Sequence, residues 1–323
     1  MTEQLNVQQM AEKLLAADNI LILCHKNPDG DTVGCGSALY YALLALEKHA
    51  AVLCADPIPG RYAFTNPRLF KGEFEPQIVV AVDVASVQLF GEGNGVPQYT
   101  RHVDLCIDHH AGNSGYAEFT LLNGSAAAAA ELLYEVICAM HVEITPHIAD
   151  CLYTGLSTDT GCFAYANTTP HTHAVAAALM RTGIDYRAVN KTFFRTKSRK
   201  RMQLEGAMLA QAEFYDRDRI AVLSVPLSLM EQLQATESDA EELSSLGGQI
   251  DGVDCAVTMR ELRPDVWKIS LRTGSRVNAT EVCSLLGGGG HAAAAGCTVE
   301  APWSQARDRV LDAIRQVVPD CQV

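Results

Sequence analysis

The chain lacks several features that would fix its class at once. Its 11 cysteines are scattered, odd in number and contain no CxxC pair, so neither a disulfide framework nor a zinc ribbon is indicated. Several lie in apolar runs (Cys24, Cys106, Cys138) and read as buried thiols of a reducing compartment. No apolar run approaches the length of a membrane span. The first residues, "MTEQLNVQQMAEKLLAADN", are polar and amphipathic without a signal-peptide core, so the expectation is a soluble, cytoplasmic protein with no membrane partner. Basic residues are in deficit too: 25 Lys and Arg face 38 Asp and Glu, a formal net charge of −13. A broad basic face for long nucleic acid is therefore excluded, although a few local cations can still serve one or two phosphates. Acidic residues that hold divalent metal would add negative charge without making a site repel phosphate. There is no internal repeat, and the low-complexity pieces are short: "SAAAAAELL" (125–133), which reads as a helix start, and "GGGGHAAAAG" (287–296).

What is present is an ordinary globular composition, 48% apolar and 20% charged over 323 residues, enough for two cores. Helix periodicity runs over 5–17 and 37–48, and near-continuous apolar runs at 19–24, 51–55, 77–86 and 103–110 read as strands buried on both faces of a parallel sheet. Helices are expected over about 125–141, 146–157, 170–182 and 186–194. This alternation predicts an α/β, doubly wound, mostly parallel sheet. The stretch 190–211 carries the main basic cluster (Arg195, Lys197, Arg199, Lys200, Arg201) and reads as a linker entering a helix. Beyond it a strand at 219–225, helices near 226–234 and 239–249, a hairpin of strands at 254–262 and 266–272, a helix at 278–286 and a last helix at 302–317 suggest a smaller mixed-sheet α/β domain. The expected division is a first domain over 1–187, a linker over 188–204 and a second domain over 205–323, with the active site in the cleft between the domains.

Four polar clusters share one topological position. His25, Asp29 and Asp31 follow the first buried strand; Asp83 ends "IVVAVD"; Asp108, His109 and His110 end "LCIDHH"; Asp159 lies in "LSTDTGCF" after a helix. The carboxyl ends of parallel strands share one edge, so the first three clusters should converge, and helix 146–157 can bring the fourth to them. Imidazoles and carboxylates without thiolates suit manganese, magnesium, iron or cobalt rather than a structural zinc. Two such ions activate water and neutralise phosphoryl oxygens. A lone strand-end Asp is more often a cap or turn residue, and a lone His more often a core residue; four hard-ligand clusters at one edge are not explained that way. The glycines of "PDGDTVGCGSAL" let backbone approach closely and open a helix whose free N–H groups favour an anion. In the second domain, "LLGGGGHAAAAGC" (285–297) reads either as a flexible turn that cradles phosphate through backbone N–H groups or as a helix terminator before a small-residue packing surface. Arg272 ends a strand pointing toward it and suits bidentate phosphate binding, while Arg276 is expected to be solvated.

"HKNPDGD", the Asp of "AVDVAS", "DHH" and "STDTG" resemble the four motifs of the DHH phosphoesterase superfamily, and the GGGH segment with its following "AAG" resembles the DHH-associated C-terminal domain. Length and the order of motifs are most similar to the bacterial nanoRNase/pAp phosphatase group. The resemblance implies that His25, Asp29 and Asp83 hold one metal ion and that Asp31, Asp83, His109 and Asp159 hold a second, with manganese the first choice. It implies that His110 faces the substrate phosphate, that Asp108 orients its neighbours, and that Arg272, His291 and the backbone of Gly288, Gly289 and Gly290 bind the nucleotide's far end. Relatives commonly carry a basic or amide residue in the two positions after the GGGH histidine; here these are Ala292 and Ala293, so that contact does not carry over. The implied activity is two-metal hydrolysis of short oligoribonucleotides or of 3′-phosphoadenosine 5′-phosphate (pAp). Short substrates fit an acidic protein, and a homodimer through the first domain is compatible with the family. The alternatives are a cyclic- or linear-dinucleotide phosphodiesterase acting on c-di-AMP or pApA and, behind it, an inorganic pyrophosphatase or a nucleotide-binding sensor without activity.

Overall fold

A computed structural model describes residues 2–240 and 243–318. The chain forms two compact units that divide between Thr196 and Lys197. The first unit contains β1 (Glu3–Gln4), α1 (Val7–Ala16), β2 (Ile20–Leu23), α2 (Gly30–Ala45), β3 (Ala50–Leu53), β4 (Ile78–Val82), β5 (Leu105–Asp108), β6 (Phe119–Leu122), α3 (Ala129–Ala139), α4 (Pro146–Asp159), α5 (Pro170–Arg181) and α6 (Tyr186–Asn190). Its sheet is parallel throughout, in the order β1-β6-β5-β4-β2-β3. Every residue of β2 is buried, and side chains such as Ile22 and Leu23 each contribute roughly 1.5–3 kcal/mol on leaving water. Apolar clusters cover both faces: Ile20 and Ile22 pack with α1, α2 and α3, while Leu21 and Leu23 pack with Phe70, Phe90 and Val96. That two-sided burial is why the strands read as unbroken apolar runs.

The order of strands fixes where a ligand can bind. From β2 the chain moves to β3 on one side and then returns to β4 on the other. The reversal opens a crevice at the carboxyl ends of β2 and β4, the switch point of a doubly wound sheet. The loop after β2 begins with Cys24 and His25, and the residue after β4 is Asp83.

The second unit contains α7 (Arg199–Ala210), β7 (Glu213–Tyr215), β8 (Ile220–Val225), α8 (Leu227–Leu233), β9 (Cys255–Arg263), β10 (Val266–Thr273), α9 (Ala279–Leu285), β11 (Gly289–His291), β12 (Ala294–Glu300) and α10 (Trp303–Val317). Its sheet runs β11-β12-β10-β9-β8-β7 and is mixed, with β8 and β9 parallel and the other pairs antiparallel. One face packs on α9 and α10 through Ile269, Leu271, Val282 and Ile314. Leu204 and Met208 of α7 pack against Ala221 and Leu223 of β8.

Several expected elements differ. The stretch 188–204 is largely helical, since α6 ends at Asn190, a π-helical turn covers Lys191–Arg195 and α7 starts at Arg199. The segment 239–249 forms short 3-10 turns, not a helix, among its described residues. The run from Ser125 delays its helix until Ala129, because Asn123 Oδ1 accepts from the Ser125 backbone and hydroxyl and holds a turn there. Among the described residues no cysteine is in a disulfide; Cys138 is exposed, contrary to its apolar sequence setting, because it lies on the solvent side of α3.

Candidate metal centre

Asp83 is the centre of the constellation. It follows β4, is 2% exposed and has a positive φ of 59°, a conformation costly for a non-glycine residue and concentrated at functional sites. Its backbone N–H is tied to Ile107 O of β5 at 2.9 Å. The carboxylate divides its two oxygens between two groups. Oδ2 lies 3.7 Å from His25 Nε2, which is itself 3.5 Å from Asp29 Oδ1. Oδ1 lies 3.5 Å from His109 Nε2, which is 3.2 Å from Asp159 Oδ2 and 4.0 Å from Asp31 Oδ2. His25, Asp29 and Asp83 each turn one ligand atom to within 4.8 Å of the others, and so do Asp31, His109 and Asp159.

The local fold aims these atoms. His25 Nδ1 lies 2.7 Å from Lys26 O and His109 Nδ1 3.2 Å from Ala126 O. A carbonyl only accepts, so each ring carries its proton on Nδ1 and turns Nε2 inward. Asp29 caps α2, its Oδ1 accepting from the backbones of Asp31 and Thr32. The free helix N-terminus expected to attract an external anion is thus already occupied by the chain's own carboxylate. Asp31 reaches across to cap α3: Oδ2 accepts from Ala129 N at 2.6 Å and Oδ1 from Ala130 N at 3.1 Å. Asp159 is the last residue of α4.

Electrostatics separate two kinds of carboxylate. Burial raises Asp29 and Asp108, but hydrogen bonds from the fold outweigh it and hold both below the usual range. Burial and then Asp159 push Asp31 up to about 7. Burial and then Asp31 push Asp83 well above the usual carboxylate range. Burial opposes protonation of His109, yet Asp159 and Asp31 prevail and push it up to about 9. Asp83 Oδ1 and His109 Nε2 are buried without a hydrogen-bond partner. Carboxylates crowded this closely need positive charge between them; without metal the proton of His109 supplies part of it, and a divalent cation can take its place, so these residues fit divalent cations. The nearby Cys35 thiol, pushed far up by burial and then by Asp31, stays protonated and donates to Asp31, which leaves a nitrogen and oxygen donor set suited to hard cations.

Asp108 and His110 are placed differently. Asp108 Oδ1 accepts from the backbones of His109 and His110 and from His110 Nδ1 at 2.7 Å, and Oδ2 accepts from Asn113 Nδ2 at 2.6 Å. With both oxygens engaged, Asp108 fixes the DHH turn. His110 is held by the same contact and remains 45% exposed, its Nε2 free.

Residues 19–156 match the model of the DHH family, N-terminal domain, and residues 218–320 match that of the DHHA1 domain. The chain is 33% identical, over 95% of its length and 93% of the other, to the bifunctional oligoribonuclease and PAP phosphatase NrnA of Thermus thermophilus. The chain belongs to the DHH family. A Bacillus subtilis protein of the same name is 24% identical over 91% of this DHH-family chain and 93% of its own. An exopolyphosphatase-related protein from Bacteroides fragilis superimposes with a TM-score of 0.87, covering 98% of each chain at 23% identity, which establishes the shared fold.

In the second unit of this DHH-family protein, the glycine run is ordered as a strand. Gly289–His291 forms β11, antiparallel to β12, which replaces the expected flexible turn. The reason is steric: a Cβ at Gly288 would fall 2.2 Å from Gly296 O, and one at Gly290 2.6 Å from Ala294 O. Register places His291 opposite Ala294 and Ala294 opposite Arg272, so Arg272 and His291 occupy one cross-strand row and share a face. Ala292 O accepts from the Ala279 backbone and the Thr273 hydroxyl, and Ala293 O accepts from Thr273 N; both carbonyls are used to hold the hairpin. Arg276 is exposed and lies 3.5 Å from Asp254.

Several supporting residues carried no motif signal. Thr32 Oγ1 donates to Val82 O and accepts from His25 N, tying β2's loop to β4. Asn167 donates to Ala127 O and Asp159 O. Gly30, Gly34 and Gly155 let α2 and α4 meet: a Cβ at Gly34 would lie 2.4 Å from Cys151 O, and one at Gly155 2.5 Å from Asp31 Oδ1. Gly30 and Gly34 serve this packing; a period-four small residue pattern facing a second small residue on another helix is the available signal.

Proposed function

We propose that this protein hydrolyses phosphoester bonds in short oligoribonucleotides and removes phosphate from pAp, with two divalent cations, manganese first among them. The observation that carries the proposal is the divided carboxylate of Asp83, buried and unpartnered at Oδ1, with one oxygen toward each histidine group. The activity named for the Thermus and Bacillus relatives supports the choice of reaction and substrate. In this reading His25, Asp29 and Asp83 hold one cation, and Asp31, Asp83, His109 and Asp159 hold the other. When bound, the cations lower the pKa of water and neutralise phosphoryl oxygens.

The remaining steps belong to the chain. Lys26 O and Ala126 O keep the proton of each histidine at Nδ1, so Nε2 stays available. Asp108 and Asn113 hold His110, whose Nε2 meets a phosphoryl oxygen of the substrate. Arg272, His291 and the backbone of Gly288, Gly289 and Gly290 bind a substrate phosphate, because a row of guanidinium and imidazole on one exposed face meets the geometry of such a group. Cysteines without disulfides among the described residues support a reducing compartment, the cytoplasm.

The test is turnover of a 5-mer RNA, pApA, pAp and c-di-AMP on one preparation with manganese added. The expected result is release of mononucleotide from the short RNAs and of phosphate from pAp. A clear preference for the cyclic dinucleotide would replace this substrate assignment, and absence of turnover on all four would end the hydrolase reading.

A further inference from the structure

Asp159 is followed by a turn whose construction has a purpose beyond closing α4. Gly161, Cys162 and Phe163 have consecutive φ values of +56°, +58° and +67°, and two of the three are not glycine. Such strain persists only where surrounding contacts over-determine it. Here Cys162 N donates to Ser157 O at 2.7 Å, Phe163 N to Thr160 Oγ1 at 3.0 Å, and Ala164 N and Tyr165 N to Thr160 O at 2.9 and 3.0 Å. The Phe163 ring stacks on His173 at 5.3 Å. The product of this arrangement is Tyr165, at 61% the most exposed large apolar side chain among the described residues.

Tyr165 is not loose on the surface. A Cβ built at Gly161 would fall 2.4–2.8 Å from three of its ring carbons, so the ring lies against the Gly161 backbone and a side chain there would displace it. One part of the ring is backed by main chain while the rest is open. A rigid aromatic presented this way, a few residues from a phosphoester-cleaving centre, is the element that nucleic-acid-binding proteins use to stack a base. The neighbourhood also carries positive charge. Residues 186–196 contain Arg187, Lys191 and Arg195 and no acidic residue. Within that stretch Arg195 is exposed and close enough to act electrostatically on Cys162 of the same turn. Among the described residues no carboxylate pairs with Arg195.

We propose that Tyr165 is a stacking platform for a nucleobase of the substrate, held beside Asp159 by the strained 160–165 turn. It rests on the hydrolysis of nucleotide phosphoesters proposed above and adds how the base is gripped. Stacking is tolerant of base identity and favours larger rings, so purine substrates gain more than pyrimidine ones.

The experiment compares the wild type with Tyr165→Ala and Tyr165→Phe, with manganese, on pAp, diadenylate and diuridylate. Ribose 3,5-bisphosphate, which has no base, serves as a competitive inhibitor. Tyr165→Ala is expected to raise KM for pAp and diadenylate by about 5- to 100-fold, with a smaller rise for diuridylate. The Ki of the base-free compound should not change, and Tyr165→Phe should restore KM. An unchanged KM in Tyr165→Ala, or an equal loss for the base-free inhibitor, overturns the platform while leaving the hydrolase reading intact. A wild type inactive on all three substrates overturns the hydrolase reading and the platform with it.

Discussion

The two regions marked by the motifs are built in opposite ways. In the first unit, Asp31, Asp83 and Asp108 are fully or almost fully buried; the fold engages the oxygens of Asp31 and Asp108, while Asp83 Oδ1 is left without a partner. In the second, β11 is exposed along its length and Arg272 is half-buried on an open sheet face. Metal ligation needs desolvated, pre-aimed donors, because the gain from charge neutralisation grows as water is excluded. Gripping a phosphate at the periphery does not, and exposed cations suffice. Buried, strained and partly unsatisfied groups therefore suit the proposed metal ligands, and exposed, well-formed backbone suits the proposed substrate contact.

The hardest test of that contrast is Asp83→Asn, which keeps the shape of the side chain. Removing the shared charge should cost activity by roughly a thousandfold or more, on the scale of a central electrostatic element, and bound manganese measured by elemental analysis should fall below two per chain. The metal-free protein should respond in the other direction. Asp83 is held above the usual carboxylate range by burial, so ionising it above its unfolded value opposes folding, and the neutral amide removes that opposition. Metal-free Asp83→Asn should melt higher than metal-free wild type at pH 8. A variant that kept full activity would erase the distinction between the two regions.

Next in size is Asp108→Asn, which leaves every proposed ligand in place. Asp108 works through His110 and the DHH backbone, so an effect of about 10- to 100-fold on kcat is expected, with KM for pAp little changed. The pH profile should shift as well, a signature that simple unfolding would not give.

Much of this centre was legible in the sequence because its ligands fall at strand ends, where an apolar run stops abruptly at His or Asp. The supports were not. Thr32, Asn113 and Asn167 are common loop or helix residues whose partners lie far along the chain, such as Val82 O for Thr32. β1, with two residues, leaves no periodicity, and β6 is recognised only by its pairing with β5 and β1. β11 was read as a turn because glycine lacks strand propensity. Close approach of β12 imposes glycine at 288 and 290, and that constraint is invisible until the partner strand is known.

The linkage between protons and metal gives a smaller, graded effect. In the metal-free protein Asp31 has its pKa pushed up to about 7 and His109 up to about 9. Both groups must lose a proton to become ligands, so manganese affinity should fall as pH drops from 9 to 6, by up to about tenfold per unit for each proton displaced. The sign for stability follows. With folded pKa values above the unfolded ones, the metal-free protein loses stability as pH rises toward 7 and then 9, so added manganese should raise Tm more at pH 8 than at pH 6. Equal shifts at the two pH values would mean that these groups do not meet the metal.

The smallest effect is expected in the second unit. His291→Ala removes an exposed side chain from β11 and leaves the main-chain pairing with β12 untouched. Tm should therefore hardly move. If His291 and Arg272 contact a substrate phosphate, losing one charge-assisted hydrogen bond costs about 1.5–3 kcal/mol, which is roughly 10- to 150-fold in KM for pAp with manganese stoichiometry unchanged. Because the two residues share one row of the sheet, Arg272→Ala and the double variant complete a mutant cycle. Coupling between them would show that both grip the same phosphate, whereas strict additivity would separate their roles. A fall in bound metal in either variant would break the contrast between the regions, since every proposed metal ligand lies in the first unit.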